Sequence, residues 1–355
     1  MSPVHSAHAV CLLLFVTLVA PSVEAGGGRP AASWLSTLQP RVEEAARNFD
    51  GELSLYVLDV ESGEAYGYDA DTPTYLSSAI KLAVMLEVLH QVDHQKLTWD
   101  ERLEFGPDNI RDGMHRLGGT RPGERLSVAT LLEYMMADSD NAAADLLIQR
   151  VGVERVQAQL AARGIQAGPV SSLLEERRRI YSKLDPRAKA LSPSQIRSLG
   201  EHDSLGSRAR FLSRMWENAP TWNGRDLDRA FAAYYAEQVN SASMKEMGQL
   251  LGQVARCEGL SAESCARAHA LMHSCRTGRG RIAAGLPGTA TWEHKTGTQH
   301  RRACDLGILQ LQPGRRIVIA ACTRNFWRVA DAERLLANLG AIISQAHPRS
   351  PTPPR

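Results

Sequence analysis

Hydrophobic and polar positions predict strands towards both ends of the chain and helices between them. Residues 41–49 are predicted to be helical, and alternation over 53–58 predicts a strand that a Glu-Ser-Gly-Glu turn joins to a second strand at 65–68. Helical spacing predicts the central helices, at 78–90, 127–137, 141–150, 153–163, 243–256 and 262–273. Three further strand patterns follow, at 290–296, 303–312 and 316–323, before a closing helix at 328–344.

This order predicts an α/β fold in two lobes. Strands from both ends of the chain would pair in one antiparallel sheet flanked by terminal helices, while the middle forms an all-helical lobe. We place the sheet lobe at about 33–75 and 280–345 and the helical lobe at about 76–279. The Pro-rich residues 346–355 are predicted to form a flexible tail.

Composition narrows the class of protein. Hydrophobic residues make up 43% and charged residues 23%, values that exclude a collagen-like, a disordered or a polytopic membrane protein. Lys and Arg (41) nearly balance Asp and Glu (39), and a net charge of +2 is too small for a chain whose main task is binding nucleic acid phosphates. We therefore expect no nucleic acid partner, and we expect a monomer.

An uncharged hydrophobic run at 9–20 predicts a secretory signal peptide, because it is too short to span a bilayer. Small residues at Val23 and Ala25 predict cleavage after Ala25, which would remove residues 1–25. The mature protein would then be secreted or periplasmic, without stable membrane insertion. A buried amino-terminal helix is the alternative.

Cleavage would leave five cysteines, all in the last hundred residues. An oxidising compartment favours disulfides, although an odd count leaves one thiol unpaired. The candidate bridges are Cys257 with either Cys265 or Cys275, and Cys304 with Cys322. A metal cluster with His269 and His273, one helical turn apart, is the alternative, but no second ligand pair stands at zinc-site spacing. We expect neither a metal nor a cofactor.

A lysine interrupts the otherwise hydrophobic start of the helix predicted at 78–90. Every other position through Leu86 is apolar after Ser78, which is typical of a buried helix. Burying an ammonium is costly, so Lys81 either reaches solvent or is held by polar partners; desolvation would lower its pKa and make it a candidate base. Ser78 lies on the same helix face, one turn earlier. The alternative is that Ser78 is a helix cap and Lys81 a surface residue.

Two further triplets change the interpretation of Ser78 and Lys81. Ser-Asp-Asn at 139–141 precedes a predicted helix, and Lys-Thr-Gly at 295–297 follows a predicted strand. Alone, the first indicates a capping turn and the second an edge strand with a glycine bulge. Together, in the order Ser-x-x-Lys, Ser-Asp-Asn, Lys-Thr-Gly, at separations of 61 and 156 residues, they form a specific set.

This set resembles the motifs of the penicillin-recognising serine acyltransferases, most closely the class A β-lactamases. The resemblance covers about 33–345 and implies an active site in the crevice between the two lobes. It implies these catalytic roles: Ser78 as acylated nucleophile, Lys81 as its proton acceptor, and Ser139 as proton relay to the leaving nitrogen. It implies these binding roles: Asn141 for the substrate amide and Lys81; Lys295, Thr296, Gly297 and Thr298 for the substrate carboxylate; and the N–H groups of Ser78 and Thr298 for the oxyanion.

The chemistry of acyl transfer needs such groups. A serine hydroxyl is a weak nucleophile until a base takes its proton, and one oxyanion donor is typically worth about 2.7 to 4 kcal/mol. Arg301, just beyond the third triplet, would add a bidentate carboxylate contact; an exposed strand end is the alternative.

Two features depart from the family pattern. The family hydrolyses its acyl-enzyme with a glutamate in a Glu-x-x-Leu-Asn pattern; here the candidates are Glu175 and Glu176, and the fourth residue onward is Arg179 or Ile180. The alternative is that both glutamates pair with neighbouring arginines at the surface.

The second departure is an insertion at about 183–242, with amphipathic helices predicted at 206–217 and 226–238. Its aromatic residues either shape access to the site or fill the insertion's own core.

The leading functional hypothesis is a secreted serine hydrolase that opens β-lactam rings. The first alternative is a penicillin-binding peptidase that acts on D-Ala-D-Ala peptides of the cell wall. The second is a binding module that stays acylated without turnover. All three use the same nucleophile, so they differ in the fate of the acyl-enzyme.

Overall fold

The computed structural model describes residues 34–347. The helices are α1 (Trp34–Arg47), α2 (Lys81–Asp93), α3 (Val128–Ala137), α4 (Asn141–Val151), α5 (Val153–Ala162), α6 (Leu173–Ser182), α7 (Pro193–Gly200), α8 (Leu205–Ser213), α9 (Gly224–Tyr235), α10 (Met244–Ala255), α11 (Ala262–His273) and α12 (Val329–Ala346). The strands are β1 (Glu52–Asp59), β2 (Ala65–Tyr68), β3 (Thr74–Tyr75), β4 (Arg102–Glu104), β5 (Arg125–Ser127), β6 (Ser241–Ala242), β7 (Thr291–Gln299), β8 (Arg302–Gln312) and β9 (Arg315–Arg324). The signal peptide expected at 1–25 lies outside the described residues.

Strands from both ends of the chain form one antiparallel sheet, in the order β2-β1-β9-β8-β7. One face is covered by α1 and α12, through residues such as Leu38, Leu336 and Leu339. The opposite face packs against helices of the central region, including the hydrophobic part of α2. The expected α/β fold, with a sheet lobe and a helical lobe, is confirmed. No helix among the described residues is long and apolar enough to cross a membrane.

Both terminal helices extend further than their patterns predicted. The first helix begins at Trp34 rather than at 41, because Trp34, Leu38 and Val42 form a buried stripe with a four-residue spacing. At the other end, the expectation of a tail from 346 is wrong for its first two residues. Ala346 belongs to α12, and the buried ring of His347 lies 4.2 Å from that of Trp34. The rest of the expected tail lies outside the described residues.

Two disulfides form among the five cysteines of the described region. Cys257 pairs with Cys265, and Cys304 pairs with Cys322 across β8 and β9, which leaves Cys275 as a free thiol. Both expected bridges are confirmed, and the choice of partner for Cys257 is settled. Cys257 and Cys265, the two cysteines nearest His269, are joined in the first disulfide and offer no thiolate to a metal, and His269 hydrogen-bonds Glu293 at 2.5 Å.

The insertion expected at 183–242 forms α7, α8 and α9. Its two predicted helices match α8 and α9, while α7 was not predicted. Trp222, Phe231 and Tyr234 are buried in a hydrophobic cluster that joins the insertion to Tyr181 of α6 and to Tyr75 of β3. These aromatic residues therefore fill the insertion's core and anchor it to both lobes.

Candidate active site

A cleft of about 320 Å³ lies where the start of α2, the turn before α4 and strand β7 meet. The residues that line it and that the sequence singled out are Ser78, Ser139, Asn141, Thr296 and Thr298. Ser78 and Thr298, 220 positions apart in sequence, thus line the same cleft, because β7 is the edge strand beside the turn that carries Ser78.

Ser78 lies in a 3₁₀ turn, Ser77–Ile80, that runs directly into α2. Its hydroxyl makes no hydrogen bond with any other residue of the described region and is partly exposed to the cleft. Ser77 has a left-handed backbone (φ 52°) and donates its hydroxyl to the Thr298 carbonyl at 2.8 Å. This bond ties together the two segments whose N–H groups the resemblance assigns to the oxyanion hole.

Gly297 permits the close approach of β7 to the turn. A Cβ atom at this position would lie 2.1 Å from the carbonyl oxygen of Leu76. Any side chain would therefore push the edge strand away from Ser78. The glycine of the third triplet consequently sets the width of the cleft rather than contacting a ligand through a side chain.

Lys81 is buried at the start of α2, with 1% of its surface exposed. Its Nζ hydrogen-bonds the carbonyl oxygen of Ser139 at 2.6 Å, Oδ1 of Asn141 at 2.8 Å and Oγ of Ser139 at 3.2 Å. The alternative of a surface lysine is therefore wrong. These three polar contacts, from the turn before α4 and from the first residue of α4, hold the amine inside an otherwise apolar helix.

The environment of Lys81 favours its neutral form. Burial lowers its pKa well below the ordinary lysine value, and the charge of Lys295 lowers it further, against Asp140, Asp145 and Glu176. Burial also lowers the pKa of Lys295 itself, but the Cys275 thiolate opposes that change. The shift of the Lys81 pKa is the one that bears on Ser78, because Lys81 stands one helical turn beyond that residue.

The hydroxyl of Ser139 lies between the two amines. Lys295 Nζ donates to Ser139 Oγ at 3.0 Å, and Lys81 Nζ lies 3.2 Å from the same oxygen. With Lys295 charged and Lys81 neutral, the hydroxyl accepts from the first and donates to the lone pair of the second. Ser139 has a left-handed backbone (φ 59°), a strained conformation that its turn maintains.

Buried carboxylates fix this turn and the neighbouring helix. Asp140 caps α4 through Ala142 and Ala143, and its second oxygen accepts from the His115 and Leu117 N–H groups at 2.8 and 3.0 Å. One turn later, a second buried aspartate performs a similar task. Its oxygens accept from the first N–H groups of α6 and from a buried guanidinium; these residues are Asp145, Leu173, Leu174 and Arg111.

The two candidate glutamates have different environments on α6. Glu175 has a half-exposed side chain that pairs with Arg179, as the alternative of a surface ion pair predicted. Glu176 is buried with 1% exposure; it accepts from Arg177 at 2.5 Å and from Asn240 Nδ2 at 3.2 Å. The sequence around α6 has no asparagine at the position that the family pattern requires. Asn240, at the end of the insertion, supplies the amide to Glu176 instead.

Arg281, rather than Arg301, contacts the third triplet. Its buried guanidinium donates to Thr298 Oγ1 at 2.6 Å and to the Gly297 carbonyl at 3.0 Å. The expectation that Arg301 reaches the site is not met, because its guanidinium donates to the carbonyls of Asn325 and Phe326 and covers the Trp327 ring. Arg281 stands in a segment of several arginines, 276–281, with no pattern that marks which one is buried.

A charged network lies behind Lys295. Burial would raise the pKa of the Cys275 thiol, but a hydrogen bond from His294 and the charge of Lys295 outweigh it and lower the pKa to about 6. Burial opposes protonation of His294, yet Asp305, 2.7 Å away, raises its pKa to about 10. Thr277 connects this network to the cleft, since its hydroxyl contacts that of Thr296 at 2.5 Å.

Residues from the helical lobe and the insertion also line the cleft. They are Asp112, Gly113, His115, Arg177, Gly200 and Arg208. None of these was predicted from the sequence. Gly200 and Arg208 belong to the insertion, so the insertion does form part of the cleft wall, in addition to filling its own core.

Comparison with known proteins is consistent with this geometry. Residues 37–347 match the model of the β-lactamase enzyme family. A β-lactamase of Streptomyces fradiae is 23% identical over 335 residues, 93% of this chain and 92% of that protein. Among solved structures, a β-lactamase of Chitinophaga pinensis has a TM-score of 0.67 at 20% identity, covering 88% of this chain and 99% of that one. PBP-A has a TM-score of 0.66 at 20% identity, over 88% and 96%.

The family match extends over most of the chain and includes all three motif triplets. The solved structures, at about 20% identity, show the fold independently. This chain therefore belongs to the β-lactamase enzyme family.

Proposed function

We propose that this protein is a serine hydrolase that opens β-lactam rings through an acyl-Ser78 intermediate. The observation that carries the proposal is the buried Lys81 amine, held by Ser139 and Asn141 one helical turn from an unbonded serine hydroxyl in the cleft. Burial lowers the pKa of this amine and so favours the neutral form that can accept the serine proton, without a histidine, metal or cofactor.

Acylation begins with proton transfer from Ser78 to Lys81. The neutral amine turns its lone pair from Ser139 towards Ser78, whose Oγ then attacks the lactam carbonyl carbon. The proton received by Lys81 passes to Ser139 Oγ, which in turn gives its own proton to the lactam nitrogen as the C–N bond breaks. The 3.2 Å and 3.0 Å contacts of Ser139 with the two amines support this relay.

The opposite wall of the cleft supports anion binding. In the proposed complex, the substrate carboxylate lies near Lys295, Thr296 and Thr298, where Arg281 adds a second positive charge. The charge holds an anionic substrate in register for attack. Arg281 also orients the Thr298 hydroxyl, because it donates to that oxygen and leaves the hydroxyl hydrogen free for a ligand.

For deacylation we assign water activation to Glu176. It is buried near Lys81, and Asn240 supplies the amide partner that the family pattern takes from a residue on the same loop. Its two oxygens accept from Arg177 and Asn240 and retain lone pairs for a water molecule.

Replacing Glu176 with Gln should therefore slow deacylation by about 10²- to 10⁴-fold, the usual contribution of a general base. The acyl-enzyme would accumulate, and intact-protein mass spectrometry after mixing with benzylpenicillin would detect it. Glu175→Gln is the matched control: the Glu175 side chain is half exposed and pairs with Arg179, so this substitution should leave turnover unchanged. Equal and rapid turnover by both variants would remove Glu176 from the mechanism.

A D-Ala-D-Ala peptidase is the second candidate. The absence of Asn four residues after either glutamate favours it, because Arg179 pairs with Glu175 and Ile180 is buried in the insertion's cluster. A mutant of PBP-A, which shares the fold, forms an acyl-enzyme with penicillin G. A binding module that stays acylated would give the same adduct.

Turnover of a chromogenic cephalosporin separates these functions. We expect sustained hydrolysis, because Glu176 has both a buried position and an amide partner. A burst of one equivalent without turnover would favour the other two candidates, and release of D-Ala from a cell-wall peptide would then identify the peptidase.

We also propose a secreted or periplasmic location, which the two disulfides support.

A further inference from the structure

The insertion forms a fixed wall of the cleft. Helix α9 is attached to the turn between β7 and β8, where Asp228 contacts His300 Nε2 at 2.5 Å and the Tyr235 hydroxyl donates to the His300 carbonyl at 2.8 Å. On the other side, its hydrophobic cluster includes Tyr181 of α6. Because both lobes hold the insertion, its cleft-lining residues are preorganised rather than mobile.

Two residues of this wall reach the cleft, and they differ in what they present. Gly200 lies against the 112–115 loop, where a Cβ would be 2.5 Å from Cβ of Asp112. It offers a ligand only backbone. Arg208, on α8, is the one that brings a charged side chain to the cleft.

The guanidinium of Arg208 has no acidic partner within residues 34–347. Its Nη2 donates to the His202 carbonyl at 3.0 Å, and its Nε is buried without a hydrogen-bond acceptor. The other cleft arginine, Arg177, is neutralised by contacts with Asp112 and Glu176. An uncompensated guanidinium in a cleft wall attracts anions, and its planar donors suit a carboxylate.

The cleft therefore has cationic side chains in two regions. Lys295 and Arg281 are buried at β7, whereas Arg208 lines the cleft from the insertion. Ser78 and Ser139 line the same cleft. A ligand with a single carboxylate uses only the first region.

We propose that Arg208 forms a second anion subsite, which selects substrates whose acyl side chain carries a carboxylate in addition to the carboxylate held at β7. The proposal rests on the proposed function and names its substrate class. In the proposed complex the acyl side chain, which lies at the other end of a penicillin from the carboxylate held at β7, extends from Ser78 towards the wall that contains Arg208.

Two penicillins that differ by one carboxylate test the subsite: benzylpenicillin and its α-carboxy analogue. Arg208→Gln should lower kcat/KM for the α-carboxy compound about tenfold, as expected for loss of a charge-assisted hydrogen bond, and change that for benzylpenicillin less than about twofold. Arg208→Lys should keep part of the preference, because it retains the charge. Arg210→Gln, on the exposed face of the same helix, should match the wild type.

An unchanged ratio of the two kcat/KM values in Arg208→Gln, with benzylpenicillin turnover intact, would overturn the subsite and leave the proposed function standing. Loss of turnover for both substrates in Arg208→Gln but not in Arg208→Lys would also contradict it, since the charge would then serve the fold or the common chemistry. If the wild type turns over neither compound, the proposed function itself fails.

Discussion

Replacing Ser78 with alanine is expected to abolish both β-lactam turnover and covalent labelling by penicillin. Ser78 is the cleft hydroxyl that is free of hydrogen bonds within the described region, whereas Ser139 Oγ is occupied by two amines. Without the Ser78 oxygen no ester can form. Intact-protein mass spectrometry with benzylpenicillin measures the adduct, which should fall from one equivalent per chain to none.

The same variant should keep its stability. The Ser78 hydroxyl has no hydrogen-bond partner among residues 34–347, so its removal breaks no interaction, and such substitutions usually change the free energy of unfolding by less than about 0.5 kcal/mol. A thermal melt provides this control. Persistent labelling that peptide mapping assigns to Ser139 would overturn the choice of nucleophile.

Replacing Lys81 is expected to have the second large effect, a loss of acylation rate. Both Lys81→Met and Lys81→Arg should slow acylation by about 10²- to 10⁴-fold. Methionine removes the base, whereas arginine keeps the positive charge but remains protonated at any working pH. Rapid-quench measurement of acyl-enzyme formation gives the rate. Lys96→Met, at an exposed lysine, is the matched control and should acylate as the wild type does.

The sign of the pH dependence follows from the direction of the Lys81 pKa shift. Burial and the charge of Lys295 lower the pKa, so the neutral, active form persists well below the pH at which an exposed lysine becomes protonated. The acylation rate of the wild type should therefore fall as the pH decreases through the Lys81 pKa. A rate that rises only near the ordinary lysine value, about 10.4, would contradict this assignment.

The sequence predicted those parts of the site that depend on local pattern. The three triplets lie at the starts of α2 and α4 and on β7, which are regular elements with clear periodicity. The burial of Lys81 could not be decided from its own helix, because the three polar atoms that hold its amine come from residues about 60 positions away. The sequence was compatible with either a buried or a surface lysine. The contacts of Lys81 with Ser139 and Asn141 show that it is buried.

The missed residues share a different property: each acts through a contact that is distant in the chain. Asn240 reaches Glu176 across 64 residues, and Arg281 reaches Thr298 across a loop and a strand. The two glutamates could not be distinguished because helix α6 was not predicted there. Adjacent residues on a helix point about 100° apart, so Glu176 faces the interior while Glu175 faces solvent.

Direct titration of the Lys81 amine is the most direct test of the central claim, that an amine removed from water activates Ser78. Protein labelled with ¹³C at lysine Cε, with the Lys81 signal assigned by its absence from Lys81→Arg, would report the protonation state by NMR. We expect a pKa well below the ordinary lysine value. A Lys81 signal that titrates at about 10.4 or higher would contradict it.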